Sequence, residues 1–313
     1  MDEREVVENT DEPRTVKSLK KDLVDEGVGE AEILLVHSSL SSLGWVCGGA
    51  QAVVEALVEV VSPGTLVMPT FSGGLSDPSD WENPPVPESW WKTIRAEMPA
   101  FDPEVTPIGS VGMIPEVFRK WPEVVRSSHP IVSFAALGPD SEDIVEDHPL
   151  DFPLGENSPL ARLYDLDAKV LLPGVGFDRN TSFHLGEYRA PGKEETVEGG
   201  PIKEDGERIW KEYKDIKFRD DKFEEMGEEF EEKKDVEIFQ VGSAKCRYFS
   251  LRDSVDFSER WFSEFRESNS DKSKTKRAEN SSINKLKKIA ERVREVDIDS
   301  DEDYEQRMKE RSG

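Results

Sequence analysis

Cysteine is almost absent: the 313 residues contain two, Cys47 and Cys246, and neither stands in a CxxC pair or at Cys/His ligand spacing. Neither a disulfide framework nor a structural zinc is expected, and a reducing compartment fits. Long hydrophobic runs are missing as well. No stretch approaches the roughly 20 apolar residues that span a bilayer, and Met1-Asp2-Glu3-Arg4 puts charge where a signal peptide has its apolar core. A cytoplasmic protein without a membrane partner is the expectation. Positive charge is scarce too, with 41 Lys and Arg against 67 Asp and Glu and a formal net charge of -26. Repulsion of that size argues against a nucleic-acid partner and favours a cationic small molecule.

Enough apolar material remains for a core. Seven Trp and 15 Phe accompany short aliphatic runs, so the low hydrophobic fraction of 35% does not signal disorder. Residues 267–313 carry 12 basic and 12 acidic side chains, so the whole net charge belongs to 1–266. Such acidity suits either a high-salt cytoplasm or an ordinary acidic protein. We therefore read 1–266 as the enzyme-sized domain and 267–313 as a charged linker with an amphipathic tail. In that tail Ile283, Leu286, Ile289, Val293 and Val296 share one helical face, which either docks on its own domain or serves a homo-oligomer.

Along the chain, Thr15 to Glu26 reads as a helix and Ile33 to Val36 as a strand buried on both faces. The strand gives way to His37-Ser38-Ser39, and Gly48-Gly49 leads into a helix over Ala50 to Val61. Thr65 to Met68 is the next strand. Strand, helix and strand in that order make a parallel crossover, whose ligands bind at the strands' carboxyl ends. Phe71 to Pro107 has too many breakers for regular structure and too many aromatics for disorder, as expected of a binding loop. A short helix over Ile114 to Lys120, a strand over Ile131 to Leu137 and a helix over Ser158 to Leu163 follow. Val170 to Pro173 forms a third buried strand, and Thr196 to Ile202 with Arg208 to Tyr213 an antiparallel hairpin.

Two constellations bear chemistry. The turn from His37 to Gly44 combines hydroxyls with the amino end of a following helix, which makes either an anion site suited to a pyrophosphate or a simple helix cap. It lacks the Gly-Lys-Ser/Thr ending of a P-loop. The second runs from Asn180 to Arg189. His184 and Glu187 are three residues apart, so one helical turn places imidazole and carboxylate together. The pair is either a general base toward an amine or hydroxyl, or a structural histidine held by a salt bridge. Thr181 and Ser182 are candidate donors to a developing oxyanion. No third ligand at helical spacing accompanies His184, so no metal is expected. His129 and His148 each precede a proline and read as loop-stabilising groups.

Taken together these blocks resemble the aminoglycoside 3-N-acetyltransferases, an antibiotic acetyltransferase family distinct from the GNAT fold. The resemblance spans about residues 16 to 262. It is carried by Val36-His37-Ser38-Ser39-Leu40-Ser41-Ser42-Leu43-Gly44, Gly48-Gly49-Ala50, Gly64-Thr65-Leu66-Val67-Met68-Pro69-Thr70 and Asp77-Pro78 with Trp81. Phe101-Asp102-Pro103, Ile114-Pro115-Glu116, His129-Pro130, Ser158-Pro159-Leu160 and, most specifically, Asn180-Thr181-Ser182-Phe183-His184-Leu185-Gly186-Glu187-Tyr188-Arg189 complete it. The resemblance implies an α/β fold, a three-layer α/β/α sandwich with a largely parallel central sheet, to which the hairpin and the helical C-terminal tail are added. It implies acetyl-CoA as cosubstrate, lying along His37, Ser38, Ser39 and Ser41, and transfer to the 3-amino group of an aminoglycoside. His184 and Glu187 match the family's catalytic pair, with Thr181 as an oxyanion donor. Asp77, Asp80, Trp81 and Asp102 become candidates for the polycationic acceptor. Ile108 to Val111 departs from the family where many members carry an Arg. A same-fold acyltransferase for another amine, and a noncatalytic binder, remain as alternatives.

Overall fold

The computed structural model describes residues 3–29, 31–109 and 111–269. By contacts the chain divides into a unit over Met1–Ser263 and a second over Glu264–Gly313. The stripe from Ile283 to Val296 lies outside the described residues. In chain order the first elements are α1 (Glu3–Glu8), α2 (Val16–Asp25), β1 (Ile33–Val36), α3 (Gly49–Val61), β2 (Thr65–Pro69), α4 (Glu88–Glu97) and α5 (Met113–Phe118). Next come β3 (Val125–Arg126), β4 (Phe134–Leu137), α6 (Ser141–Val145), α7 (Pro159–Asp165), β5 (Lys169–Pro173) and α8 (Ser182–Arg189). The last are β6 (Glu195–Glu204), β7 (Glu207–Ile216), α9 (Phe223–Lys233), β8 (Val236–Val241), β9 (Ala244–Ser250) and α10 over 251–269.

Seven strands form one sheet in the order β3-β4-β2-β1-β5-β9-β8. The apolar runs occupy its middle: β2, β1 and β5 are mutually parallel, in the registers Leu35↔Val67 and Leu35↔Val170. Strands on either flank pair antiparallel, β4 on β2 and β9 on β5. Alternation along each strand feeds two faces. Leu34, Val36, Leu66, Met68, Leu171 and Cys246 join α2, α3 and α5 in one core. Phe249 turns to the opposite face, where Phe177 and Phe230 pack on it with ring centroids 5.9 and 5.2 Å away. The result is helix, sheet and helix in layers, with β6 and β7 as a separate two-stranded sheet.

Local chemistry explains where the elements begin. Thr15 caps α2 in a reciprocal box with Ser18, each side chain meeting the other's amide at 3.1 and 2.9 Å. Ser158 caps α7 and Pro159 takes its first turn. Gly48 and Gly49 enter α3 at φ 90° and 59°, a left-handed conformation that favours glycine. In the loop from Phe71 to Pro107 the structure differs from the expectation of no regular element, because α4 forms there. Its prolines stand before and after Glu88–Glu97, not within it, and its last turn is tied to the hairpin by Arg208, which donates to Met98 O at 3.0 Å and also to Arg95 O. Among the described residues no helix is long and apolar enough to cross a membrane.

Candidate active site

Because β1, β2 and β5 run parallel, their carboxyl ends share one sheet edge, and a cavity of about 960 Å³ opens there. Its wall is made of the residues just past each strand: His37 to Ser41 after β1, Phe71 after β2 and Gly174 to Gly176 after β5. Two of these turns abut. The Ser39 amide donates to Pro173 O at 3.1 Å, and a Cβ on Gly174, at φ 74°, would lie 2.3 Å from Ser42 Cβ. Glycine is therefore required for the serine turn to sit where it does. Gly49, at the start of α3, lines the same cavity, so the amino end of that helix faces it. Ser39 links to Ser42 at 2.9 Å and to Ser41 at 3.4 Å, whereas the buried Ser38 Oγ has no protein partner.

Across the cavity stands α8, preceded by Asn180 and Thr181. Gly186 allows α8 to lie against α10, since a Cβ there would meet Ser258 Oγ at 2.0 Å. His184 Nδ1 is 3.1 Å from Glu187 Oε2, and the other carboxylate oxygen accepts from the Arg219 amide at 2.8 Å. Glu187 is fully buried and His184 is 7% exposed. Phe218 and Phe223 hold the imidazole with centroids 4.5 and 4.7 Å away. A proton on Nδ1 pointing at Glu187 leaves Nε2 to take one from a substrate. The amide of Asn180 is oriented too: its Oδ1 accepts from the Ser182 amide at 3.3 Å and hydroxyl at 2.7 Å, leaving a buried Nδ2 with no protein partner. Thr181 Oγ1 lies 3.3 Å from Nε2 of His37, whose pKa is lowered to about 3, first by burial and then by His184.

A second set of groups gathers at the hairpin. Asp215, on β7, accepts from the Tyr188 hydroxyl and from the Ile216 amide, and burial raises its pKa despite these bonds and the nearby His184. Glu198, on β6, is pushed up to about 7 by burial and then by Asp80, Asp215 and Asp77. The buried Tyr213 hydroxyl has no protein partner, and burial with Glu198 and Asp215 raises its pKa well above the usual phenol value. Carboxylates from two distant segments thus share one electrostatic field.

The aminoglycoside 3-N-acetyltransferase profile matches residues 35–263. The chain belongs to that family. With it goes membership of the acyltransferases, and the likeness covers most of this chain. The SPbeta prophage-derived aminoglycoside N(3')-acetyltransferase-like protein YokD of Bacillus subtilis (strain 168) is 50% identical over 261 residues, covering 83% of this chain and 96% of its own. Its crystal structure superposes with a TM-score of 0.81 over 83% of this chain and 97% of that one. Aminoglycoside N(3)-acetyltransferase VII of Streptomyces paromomycinus is 35% identical, covering 84% of this chain and 96% of its own. A structure described as AAC-IIIb binary with CoASH is 28% identical, with a TM-score of 0.72 over 81% of this chain and 97% of that one.

Within this family member the candidate residues fall into three groups. His37, Ser38, Ser39, Ser41, Thr181 and His184 line one cavity, with Glu187 directly behind His184. Asp80 stands with Glu198 and Asp215 in the acidic field. Asp77 also contributes to that field but is held by its own pair, and Trp81 and Asp102 are engaged in bonds of their own. Asp77 forms a two-pronged pair with Arg95 at 2.7 and 2.6 Å; burial works against its charge, but Arg95 and Ser79 hold it down at about 2. Trp81 donates to Ser76 Oγ at 3.0 Å, and Asp102 pairs with Lys203 at 2.6 Å. Glu198 and Asp215 were missed by the sequence reading because only the antiparallel pairing of β6 with β7 brings them beside Asp80. In the sequence Asn180 stands out only as part of its motif. His129 and His148 are loop-holding groups as expected: His129 Nδ1 accepts from two backbone amides, and His148 bridges Ser127 and Pro153 O.

Proposed function

We propose that the chain is an acetyl-CoA-dependent N-acetyltransferase acting on the 3-amino group of an aminoglycoside. The observation that carries this reading is His184, buried, backed by Glu187 and set in the wall of the cavity that the serine turn and the amino end of α3 also line. The donor substrate lies along His37 to Ser41, where the buried Ser38 hydroxyl lacks a protein partner and the wall is otherwise mostly apolar. That mixture suits the pantetheine arm. An aminoglycoside amine is mostly protonated near neutral pH. His184 Nε2 takes one proton, the neutral nitrogen attacks the thioester carbon, sulfur leaves with the electron pair of the broken C–S bond, and the second proton of the attacking nitrogen goes to the departing thiolate. Glu187 fixes the ring and balances the imidazolium, a contribution of about 10²–10⁴-fold for general-base catalysis. Thr181 donates to the oxygen on which charge develops.

The acceptor's remaining ammonium groups pair with Asp80 and Glu198, because Asp77, Asp102 and the buried Asp215 already hold Arg95, Lys203 and the Tyr188 hydroxyl. No metal takes part in this scheme. The test incubates the purified chain with acetyl-CoA and sisomicin, and follows thiol release and the position of the new amide by NMR. One thiol per amide at the 3-amino nitrogen is the expected result. Release with other amines but not with aminoglycosides would move the assignment to another acceptor, and coenzyme binding without release would favour a noncatalytic binder.

A further inference from the structure

Thr181 occupies the residue before α8, where a threonine ordinarily accepts from the second or third amide of its own helix. Here its backbone is helical, at φ -64° and ψ -18°, and the side chain makes no capping bond. The hydroxyl turns instead to His37 Nε2, 3.3 Å away. His37 is the first residue past β1, only 6% exposed, and lines the same cavity as Thr181 and His184. We propose that His37 is a positioning residue that holds the Thr181 hydroxyl on the carbonyl oxygen of the bound thioester. This inference rests on the acetyl-transfer reading above.

Proton supply decides which way this bond runs. A neutral imidazole carries a single N–H, and burial beside His184 keeps His37 neutral at working pH. With that N–H on Nε2 and donated to Thr181 Oγ1, the threonine keeps its own proton for another acceptor. In the opposite arrangement the hydroxyl proton is used up on the imidazole. As the amine nitrogen bonds to the thioester carbon, the C=O π pair moves onto oxygen and meets the Thr181 O–H. When the C=O re-forms, the C–S bond breaks and the thiolate takes the second proton of the nitrogen, while the first rests on His184. The Thr181 proton is shared throughout and never transferred, so His37 returns unchanged.

The test is a double-mutant cycle in the full chain, with acetyl-CoA and sisomicin as substrates and coenzyme A binding measured by calorimetry. Thr181→Val and His37→Leu should each lower kcat by about 10²-fold, the scale of one lost oxyanion donor. The double variant should be no slower than either single one. His37→Gln, whose amide nitrogen reaches the place of Nε2, should recover most of the rate, and His37→Asn, which is too short, should not. Should His37→Leu fail to fold, the Gln and Asn pair decides alone. Multiplying defects, equal rates for Gln and Asn, or a loss of coenzyme affinity with kcat intact would overturn the proposal while leaving the function standing. Absence of transfer by the wild-type chain would overturn both.

Discussion

Two sets of groups, the proposed donor and acceptor faces, couple to His184 through His37 and Asp215, and they are built differently. The donor face consists of hydroxyls and a second imidazole carried on turns directly after β1 and before α8, with its charges few and its hydrogen bonds local to those turns. The acceptor face is a field of carboxylates, Asp80, Glu198 and Asp215, assembled from a loop and a hairpin more than a hundred residues apart. In the proposed reaction one face positions a neutral thioester and the other attracts a polycation. Burial disfavours charge on both, which lowers the pKa of His37 to about 3 and raises that of Glu198 to about 7. His37 is neutral across the physiological range, whereas Glu198 titrates within it.

The largest way to break this comparison is at the junction itself. His184→Ala or Glu187→Gln should lower kcat by about 10²–10⁴-fold and leave coenzyme affinity unaltered, since neither group touches the serine turn. Steady-state kinetics beside calorimetry reads both. A variant with near wild-type kcat would show that the base lies elsewhere.

On the acceptor face, Glu198→Gln should raise the KM for sisomicin about tenfold, equivalent to ~1.4 kcal/mol, with kcat and coenzyme binding little changed. The sign with pH follows from its raised pKa. Only the carboxylate pairs with ammonium, so the wild-type KM should fall as pH climbs through about 7, and the variant should lose that slope. Stability runs the other way. A carboxyl whose pKa is raised from 4.5 to about 7 on folding binds more protons in the native state, so its contribution falls as pH rises across that window. Thermal midpoints of the two proteins, measured from pH 4.5 to 7, should converge toward acid.

How much of each face is legible in the sequence reflects the same difference. His37 to Ser41 and Thr181 to Glu187 are contiguous, and strand-to-turn and i,i+3 rules place their side chains without knowledge of distant contacts. The parallel trio β2-β1-β5 is legible for the same reason, its apolar runs being short and unbroken. The acidic field is not, because with 67 acidic residues no single one stands out. Asp77 and Asp102 drew notice by lying in an aromatic loop, yet Arg95 and Lys203, one of them 101 residues away, engage them. β8 and β9 are opaque too. Their strand character comes from pairing on β5, and Val236–Val241 alternates too weakly to announce it.

On the donor face, Ser38→Leu with Ser39→Leu should weaken acetyl-CoA binding several-fold by calorimetry, with the sisomicin KM barely moved. Unchanged affinity would send the coenzyme to another surface. The smallest effect is spread over the whole molecule. Salt that shortens the Debye length from ~30 Å at 0.01 M to ~3 Å at 1 M should relieve repulsion among the carboxylates of residues 1–266 and raise the thermal midpoint. Removal of residues 267–313, which are charge-balanced, should leave that slope intact. A midpoint flat from low to molar KCl would reject adaptation to salt.

The central claim is that His184 strips the proton from an amine brought by the acidic face, so that the nitrogen can attack a thioester on the other. It is tested most directly by following single-turnover acetyl transfer to sisomicin against pH in the wild type and in His184→Ala. The account predicts that the defect of the variant shrinks steadily toward alkaline pH, where the amine sheds its proton unaided. A defect equally deep at every pH, in a variant that still binds coenzyme A and sisomicin, would contradict it.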